Sequence, residues 1–61
     1  MTEQADILEQ VKKFINDHPE GLRQIAKRMG IGVATLARML RGELPGRIIL
    51  IKLRKFFEGL Q

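Results

Sequence analysis

The sequence predicts an all-α domain of four helices, or of five if a short extra turn forms. Glycine and proline divide the 61 residues into four segments. Apolar residues recur with helical spacing in every segment, and none of the segments alternates as a strand does. Because a chain this short can fill only one small core, residues 1–61 are expected to form a single domain.

The first segment, about residues 3–17, is expected to be an amphipathic helix. Its apolar residues follow the i, i+3, i+4, i+7, i+8 pattern, and they are Ile7, Leu8, Val11, Phe14 and Ile15. Acidic residues near its start stabilise the helix, because the N-terminus is the positive end of the helix dipole. Pro19 predicts where it stops, since the residue before a proline avoids helical geometry. His18 is then expected to be an exposed loop residue.

Two short helices are predicted next. The second segment, about 22–29, directs four apolar side chains inward, and they are Leu22, Ile25, Ala26 and Met29. Gly30 suits the left-handed position that ends a helix. The third segment, about 33–41, has Val33, Leu36, Ala37 and Leu40 toward the core and Met39 at the edge. Gly42 ends it.

The fourth segment, about 45–58, is predicted to close the core. Pro45 suits a first helical position and Gly59 suits a C-terminal cap. Its core stripe consists of Ile49, Leu50, Leu53, Phe56, Phe57 and Leu60. Ile48 and Ile51 fall on the opposite side. They are either ordinary surface residues or the centre of a weak two-fold homodimer interface that forms alone or on DNA.

The charge is distributed unevenly along the chain. Residues 1–20 contain five carboxylates against two lysines, a net charge of −3, whereas residues 21–61 contain nine basic residues against two glutamates, a net charge of +7. Such asymmetry favours a polyanionic partner for the C-terminal two-thirds. A solvated helical surface is the alternative explanation.

Composition argues against several classes of protein. The chain has no cysteine, no serine and one histidine, so we expect no disulfide, no metal site, no cofactor and no nucleophilic catalysis. A domain this small also has little room for a small-molecule substrate pocket, and we expect it not to be an enzyme. The start lacks the apolar region of a signal peptide, and the longest apolar run is far too short for a membrane span. A cytoplasmic location is therefore expected.

The second and third segments have the spacing of a helix-turn-helix. Ala26 is small at the expected crossing, Gly30 follows four residues later, and aliphatic residues stand six and nine positions after that glycine, at Leu36 and Met39. With the turn Gly30-Ile31-Gly32 and the flanking helices, nearly the whole chain resembles the phage repressor and Cro-like family of Xre-type, lambda repressor-like domains.

This resemblance implies a small bacterial or phage transcriptional regulator, a repressor, that binds double-stranded DNA. Residues 33–41 would be the recognition helix in the major groove. The residues that would face base edges are Val33, Ala34, Thr35 and Arg38. The residues that would contact phosphate are Arg23, Lys27, Gly32, Arg41 and Arg47. Since Val33 and Ala34 can only contact a thymine methyl, hydrogen-bonded readout would fall to Thr35 and Arg38.

Two alternative functions remain open at this point. The same fold could be a protein-interaction module that has lost DNA readout and binds a partner through the fourth helix. The basic and apolar residues 47–58 are also typical of a membrane-surface segment, although their core stripe is already needed for folding.

Overall fold

Four α-helices account for most of residues 2–60, which are the residues that the computed structural model describes. They are α1 (Glu3–Asp17), α2 (Leu22–Met29), α3 (Val33–Leu40) and α4 (Arg47–Gly59). That range contains no strand, which confirms the predicted all-α, four-helix class. The connection between α3 and α4 is non-helical, so the fold has the four-helix form and not the five-helix form.

All four helices contribute to one core. Each contributes one completely buried aliphatic side chain, and these are Val11, Ile25, Leu36 and Leu53. The α2 and α3 helices pack on each other, while α4 packs against both α1 and α2. Burying each such side chain contributes about 1.5–3 kcal/mol, so the helices depend on their mutual packing for a large part of their stability.

An aromatic cluster joins α1 to α4. The Phe14 ring is buried, and its centroid lies 5.3 Å from that of Phe56 and 6.1 Å from that of Phe57. Both pairs are edge-to-face, the arrangement that the ring quadrupoles favour. The predicted core positions of all three phenylalanines are therefore confirmed, with Phe56 and Phe57 half-buried at the margin.

His18 differs from its prediction as an exposed loop residue. Its ring stacks on Phe14 at a centroid distance of 3.9 Å, and Nδ1 lies 2.8 Å from the Phe14 carbonyl oxygen. The backbone N–H of His18 donates to the same oxygen at 3.1 Å. The residue folds back because it occupies the C-cap of α1, where the last carbonyl groups lack helical partners.

The start and the end of α4 also differ from the sequence prediction. The helix begins at Arg47 with Gly46 as N-cap, so Pro45 is not helical. Instead Pro45 is buried, and its carbonyl oxygen accepts a 2.9 Å hydrogen bond from Gln4 Nε2. At the other end Gly59 is the last helical residue and does not cap. Leu60, predicted in the core, is the C-cap and is exposed because it lies beyond the last packed turn.

In α3 the buried side is rotated from the predicted one. Leu36 and Met39 are fully buried, so Met39 belongs to the core and not to its edge. Val33, predicted to point inward, is 41% exposed. Viewed along the helix axis, its side chain lies roughly 90° from the mean direction of the Leu36 and Met39 side chains. The helix ends at Leu40, one residue before the predicted end, and Arg41 is its C-cap.

Candidate nucleic-acid interface

The turn between α2 and α3 is built by two backbone hydrogen bonds. Gly30 takes a left-handed conformation with φ of 77°, its N–H donates to the Lys27 carbonyl at 3.2 Å, and Ile31 N–H donates to the Ala26 carbonyl at 3.0 Å. Ile31 itself is buried. This closure ends α2 within one residue and leaves only three residues between α2 and α3.

The N-terminus of α3 is bare. Gly32 is its N-cap, no side chain in residues 2–60 caps the helix, and its first turn contains no acidic residue. The first hydrogen bond it makes runs from Leu36 N–H to the Gly32 carbonyl, so the preceding amide groups have no acceptor inside the helix. An end of this kind carries partial positive charge and is suited to an anion.

The same feature recurs at α2 and α4. Their N-caps are Gly21 and Gly46, again without a capping side chain or an acid in the first turn. In contrast, Thr2 caps α1 by accepting the Ala5 N–H at 3.1 Å, and Glu3 and Asp6 lie in that first turn. The sequence reasoning missed Gly21 and Gly46, although a glycine directly before each helical segment was the signal.

The exposed side of α3 contains most of the predicted readout residues. Ala34 and Arg38 are exposed, Val33 is partly exposed at the flank, and Thr35 is half-buried. Thr35 lies nearer to the loop after α3, where it lines a shallow hollow with Arg38 and Leu44. The structure thus brings Val33, Ala34 and Arg38 to the surface and turns Thr35 partly aside.

Glu43 was overlooked in the sequence and lies in the same hollow. Its backbone N–H donates to the Arg38 carbonyl at 3.2 Å, and its side chain is exposed. It is the only carboxylate residue between Gly21 and Phe57, which was the available signal. A negative charge at this position borders the basic surface of α3 and opposes the approach of an anion.

The predicted phosphate contacts are all exposed, and they are Arg23, Lys27, Gly32, Arg41 and Arg47. Within residues 2–60 the ion pairs are those of Arg28 with Glu20 and of Arg54 with Glu3, each at 2.8 Å. Arg28 also lies 5.6 Å from the centroid of the Phe14 ring. The basic side chains of the candidate interface therefore have no carboxylate partner in that range, whereas Arg28 and Arg54 do.

Ile48 and Ile51, the predicted centre of a dimer, are 70% and 47% exposed. They lie on α4 on the side opposite the completely buried Leu53. Their exposure agrees with either sequence interpretation, and two-fold pairing stays a prediction.

Among the described residues, no three His, Asp or Glu side chains gather into a group that could hold a metal ion. None of the four helices is both long enough and apolar enough to traverse a bilayer. The chain matches no protein-family model, and no curated protein and no solved structure is significantly similar to it.

Proposed function

We propose that this protein binds double-stranded DNA by placing α3 in the major groove, as a small transcriptional regulator of the repressor type. The observation that carries this proposal is the exposed side of α3. It combines Arg38 and Arg41, which have no carboxylate partner among residues 2–60, with the bare helix N-terminus at Gly32. A basic helix whose free amide groups point toward an anion fits the phosphate backbone on both sides of a groove.

Within this proposal Arg38 is the main reader of sequence. Its guanidinium can donate two hydrogen bonds to the O6 and N7 atoms of one guanine, which discriminates against other bases by about 1–3 kcal/mol. Val33 and Ala34 can contact thymine methyl groups. Thr35 is half-buried, so it contributes less direct readout than the sequence alone suggested.

The phosphate contacts supply most of the affinity. Arg23, Lys27, Arg41 and Arg47 are exposed and lack carboxylate partners among residues 2–60. If each neutralises one phosphate, the logarithm of the binding constant falls with the logarithm of salt concentration at a slope of about −3.6. Binding should therefore weaken steeply as salt is added.

Selection of bound sites from random double-stranded DNA tests the proposal, because it reports binding, preference and half-site symmetry together. We expect an enriched sequence that contains at least one guanine. Fluorescence anisotropy on that sequence should show that Arg38→Ala lowers affinity by about tenfold and relaxes one position. Arg54→Ala is the matched control, since it also removes one exposed arginine but from the pair with Glu3. Absence of enrichment, together with affinity that does not depend on salt, would overturn the proposal.

The alternative, a domain that binds a partner protein in place of DNA, is favoured by the exposure of Ile48 and Ile51. Chemical-shift mapping separates the two functions. A DNA duplex that perturbs Ala34 and Arg38 supports DNA binding. A partner that perturbs only the two isoleucines, with no response to any duplex, supports the alternative.

A further inference from the structure

The side of α4 that faces away from the core has a defined chemistry. Ile48, Ile51 and Lys55 follow one another along its middle, and Arg47 and Lys52 flank them on either side. All five residues are exposed. We call these five residues the outer face of α4.

The outer face of α4 is positively charged. Its three cations have no carboxylate within ion-pair distance among residues 2–60. The neighbouring Arg54, at the edge of the face, does have such a partner, because it pairs with Glu3. Beside Ile51 lies a shallow hollow lined by Arg54, Lys55 and Glu58. The face therefore offers two aliphatic side chains flanked by three cations without a carboxylate partner among residues 2–60, and a small recess whose lining includes Glu58 beside Lys55.

These charges distinguish between the molecules that could cover the face. An antiparallel pairing of two copies about Ile48 and Ile51 would bring the two Arg47 side chains together along one flank and the two Lys52 side chains together along the other, and like charges that face each other repel. A lipid surface requires a broad apolar stripe, and the broad stripe of α4, around Leu53, is already turned into the core. An occupant with its own narrow apolar stripe and flanking carboxylates satisfies both the isoleucines and the cations.

We propose that the outer face of α4 is a docking surface for an acidic amphipathic helix of a partner protein. Apolar side chains of that helix would pack between Ile48 and Ile51 and into the hollow beside Ile51. Its carboxylates would pair with Arg47, Lys52 and Lys55. This inference does not depend on DNA binding, because of the residues proposed to contact DNA only Arg47 belongs to the outer face.

The first test uses the full chain labelled with ¹⁵N and a synthetic helical peptide of about 18 residues, long enough to form a helix alone. The peptide carries a leucine stripe flanked by glutamates, and a matched peptide replaces each glutamate with lysine. We expect the acidic peptide to shift the amide signals of Ile48, Ile51 and Lys55 and the basic peptide to shift none of them. No binding, or shifts confined to the surface around Arg38, would overturn the proposal.

A charge reversal supplies the matched comparison. Lys55→Glu should lower affinity for the acidic peptide by about tenfold, because it reduces the charge of the outer face of α4 from +3 to +1 and sets a carboxylate against the glutamates of the peptide. Lys13→Glu makes the same change on the exposed side of α1 and should leave peptide affinity unaltered. Circular dichroism confirms that both variants keep their helices. Equal effects of the two substitutions would show only a general charge effect and would contradict the proposal.

Two other occupants would also be revealed. Sedimentation equilibrium of the free chain should show a monomer, and a dimer that Ile51→Glu abolishes would assign the face to a second copy. Vesicles of phosphatidylserine and phosphatidylcholine should not bind the folded chain. Binding to them that Ile48→Gln removes would assign the face to a lipid surface. Either result would overturn the acidic-helix proposal.

Discussion

Gly30 is the single residue on which the turn between α2 and α3 depends. Its φ of 77° lies in the left-handed region, which costs a residue with a β-carbon about 1–2 kcal/mol. An added β-carbon would meet no atom within 4 Å, so the cost is one of backbone conformation and not of crowding.

We therefore predict that Gly30→Ala lowers the free energy of unfolding by about 1 kcal/mol, measured by urea denaturation. Gly59→Ala is the control, because Gly59 is helical and its added β-carbon is equally unobstructed. It should leave stability unchanged or raise it slightly. If Gly30→Ala were as stable as Gly59→Ala, the left-handed turn would not be needed.

Glu43 leads to a prediction about DNA affinity. If α3 enters the groove, its exposed carboxylate lies next to Arg38 and faces the phosphate backbone. Glu43→Gln should then raise affinity for the selected duplex by about two- to fivefold at low salt. That is the effect of removing one negative charge that water separates from the phosphates. Glu58→Gln removes an equal charge at the far end of α4 and should change affinity less. A drop in affinity for Glu43→Gln would instead mean that the carboxylate accepts a hydrogen bond from a base.

At the scale of the helix, the bare N-termini of α2 and α3 provide a matched pair. Gly21 and Gly32 are both N-caps with ordinary φ, and an added β-carbon meets nothing at Gly21 and only Thr35 Oγ1, at 3.8 Å, at Gly32. An aspartate at either position can cap the helix, and its negative charge interacts favourably with the positive end of the helix dipole. We expect Gly21→Asp and Gly32→Asp each to raise the free energy of unfolding by about 0.5–1 kcal/mol.

Their effects on DNA binding should differ. Gly32→Asp places a negative charge where a phosphate is proposed to bind, and it should lower affinity by more than about tenfold. Gly21→Asp should have a smaller effect, because the phosphate contact proposed near it is made by the Arg23 side chain and not by the amide groups of that N-terminus. Anisotropy of both variants on one duplex, beside their denaturation curves, measures both effects. Equal losses of affinity would argue against a phosphate at Gly32.

The helices themselves could be predicted from the sequence, but some of their ends could not. Apolar spacing located all four, and it gave the bounds of α2 because Gly30 is an unambiguous stop. Pro45 was misplaced because its role depends on a hydrogen bond from Gln4, which is 41 residues away in the chain. Local patterns carry no information about such a partner.

The candidate site likewise has features that the sequence predicts and features that depend on packing. Charge and spacing identified the basic residues around α3, and the structure confirms that they are exposed. Whether they bind DNA stays a prediction. The burial of Met39, Val33 and Thr35 was predicted wrongly. A helix of eight residues has too few apolar positions to define which of its sides is buried. Packing against α2 fixes that direction, and only the folded chain reveals it.

For the molecule as a whole, the centre of the core should dominate stability. Leu53 is completely buried, and Leu53→Ala should cost about 2–5 kcal/mol. Since a core of this size supplies only about 3–5 kcal/mol in total, the variant should be largely unfolded by circular dichroism at 25 °C. Ile48→Ala removes a similar aliphatic group from the exposed side of the same helix and should change stability by less than about 0.5 kcal/mol. Comparable losses in both variants would contradict the assigned core.

The sharing of one core among four helices limits how this domain can be reused. The pair α2 and α3 holds most of the proposed DNA contacts, yet its apolar side is completed by Val11 from α1 and Leu53 from α4. A graft of residues 22–40 into another scaffold would have to reproduce both neighbours before the recognition surface could form. For protein engineering, the transferable module is therefore the set of all four helices. New specificity is better sought by exchanging exposed side chains of α3 than by moving the helix pair.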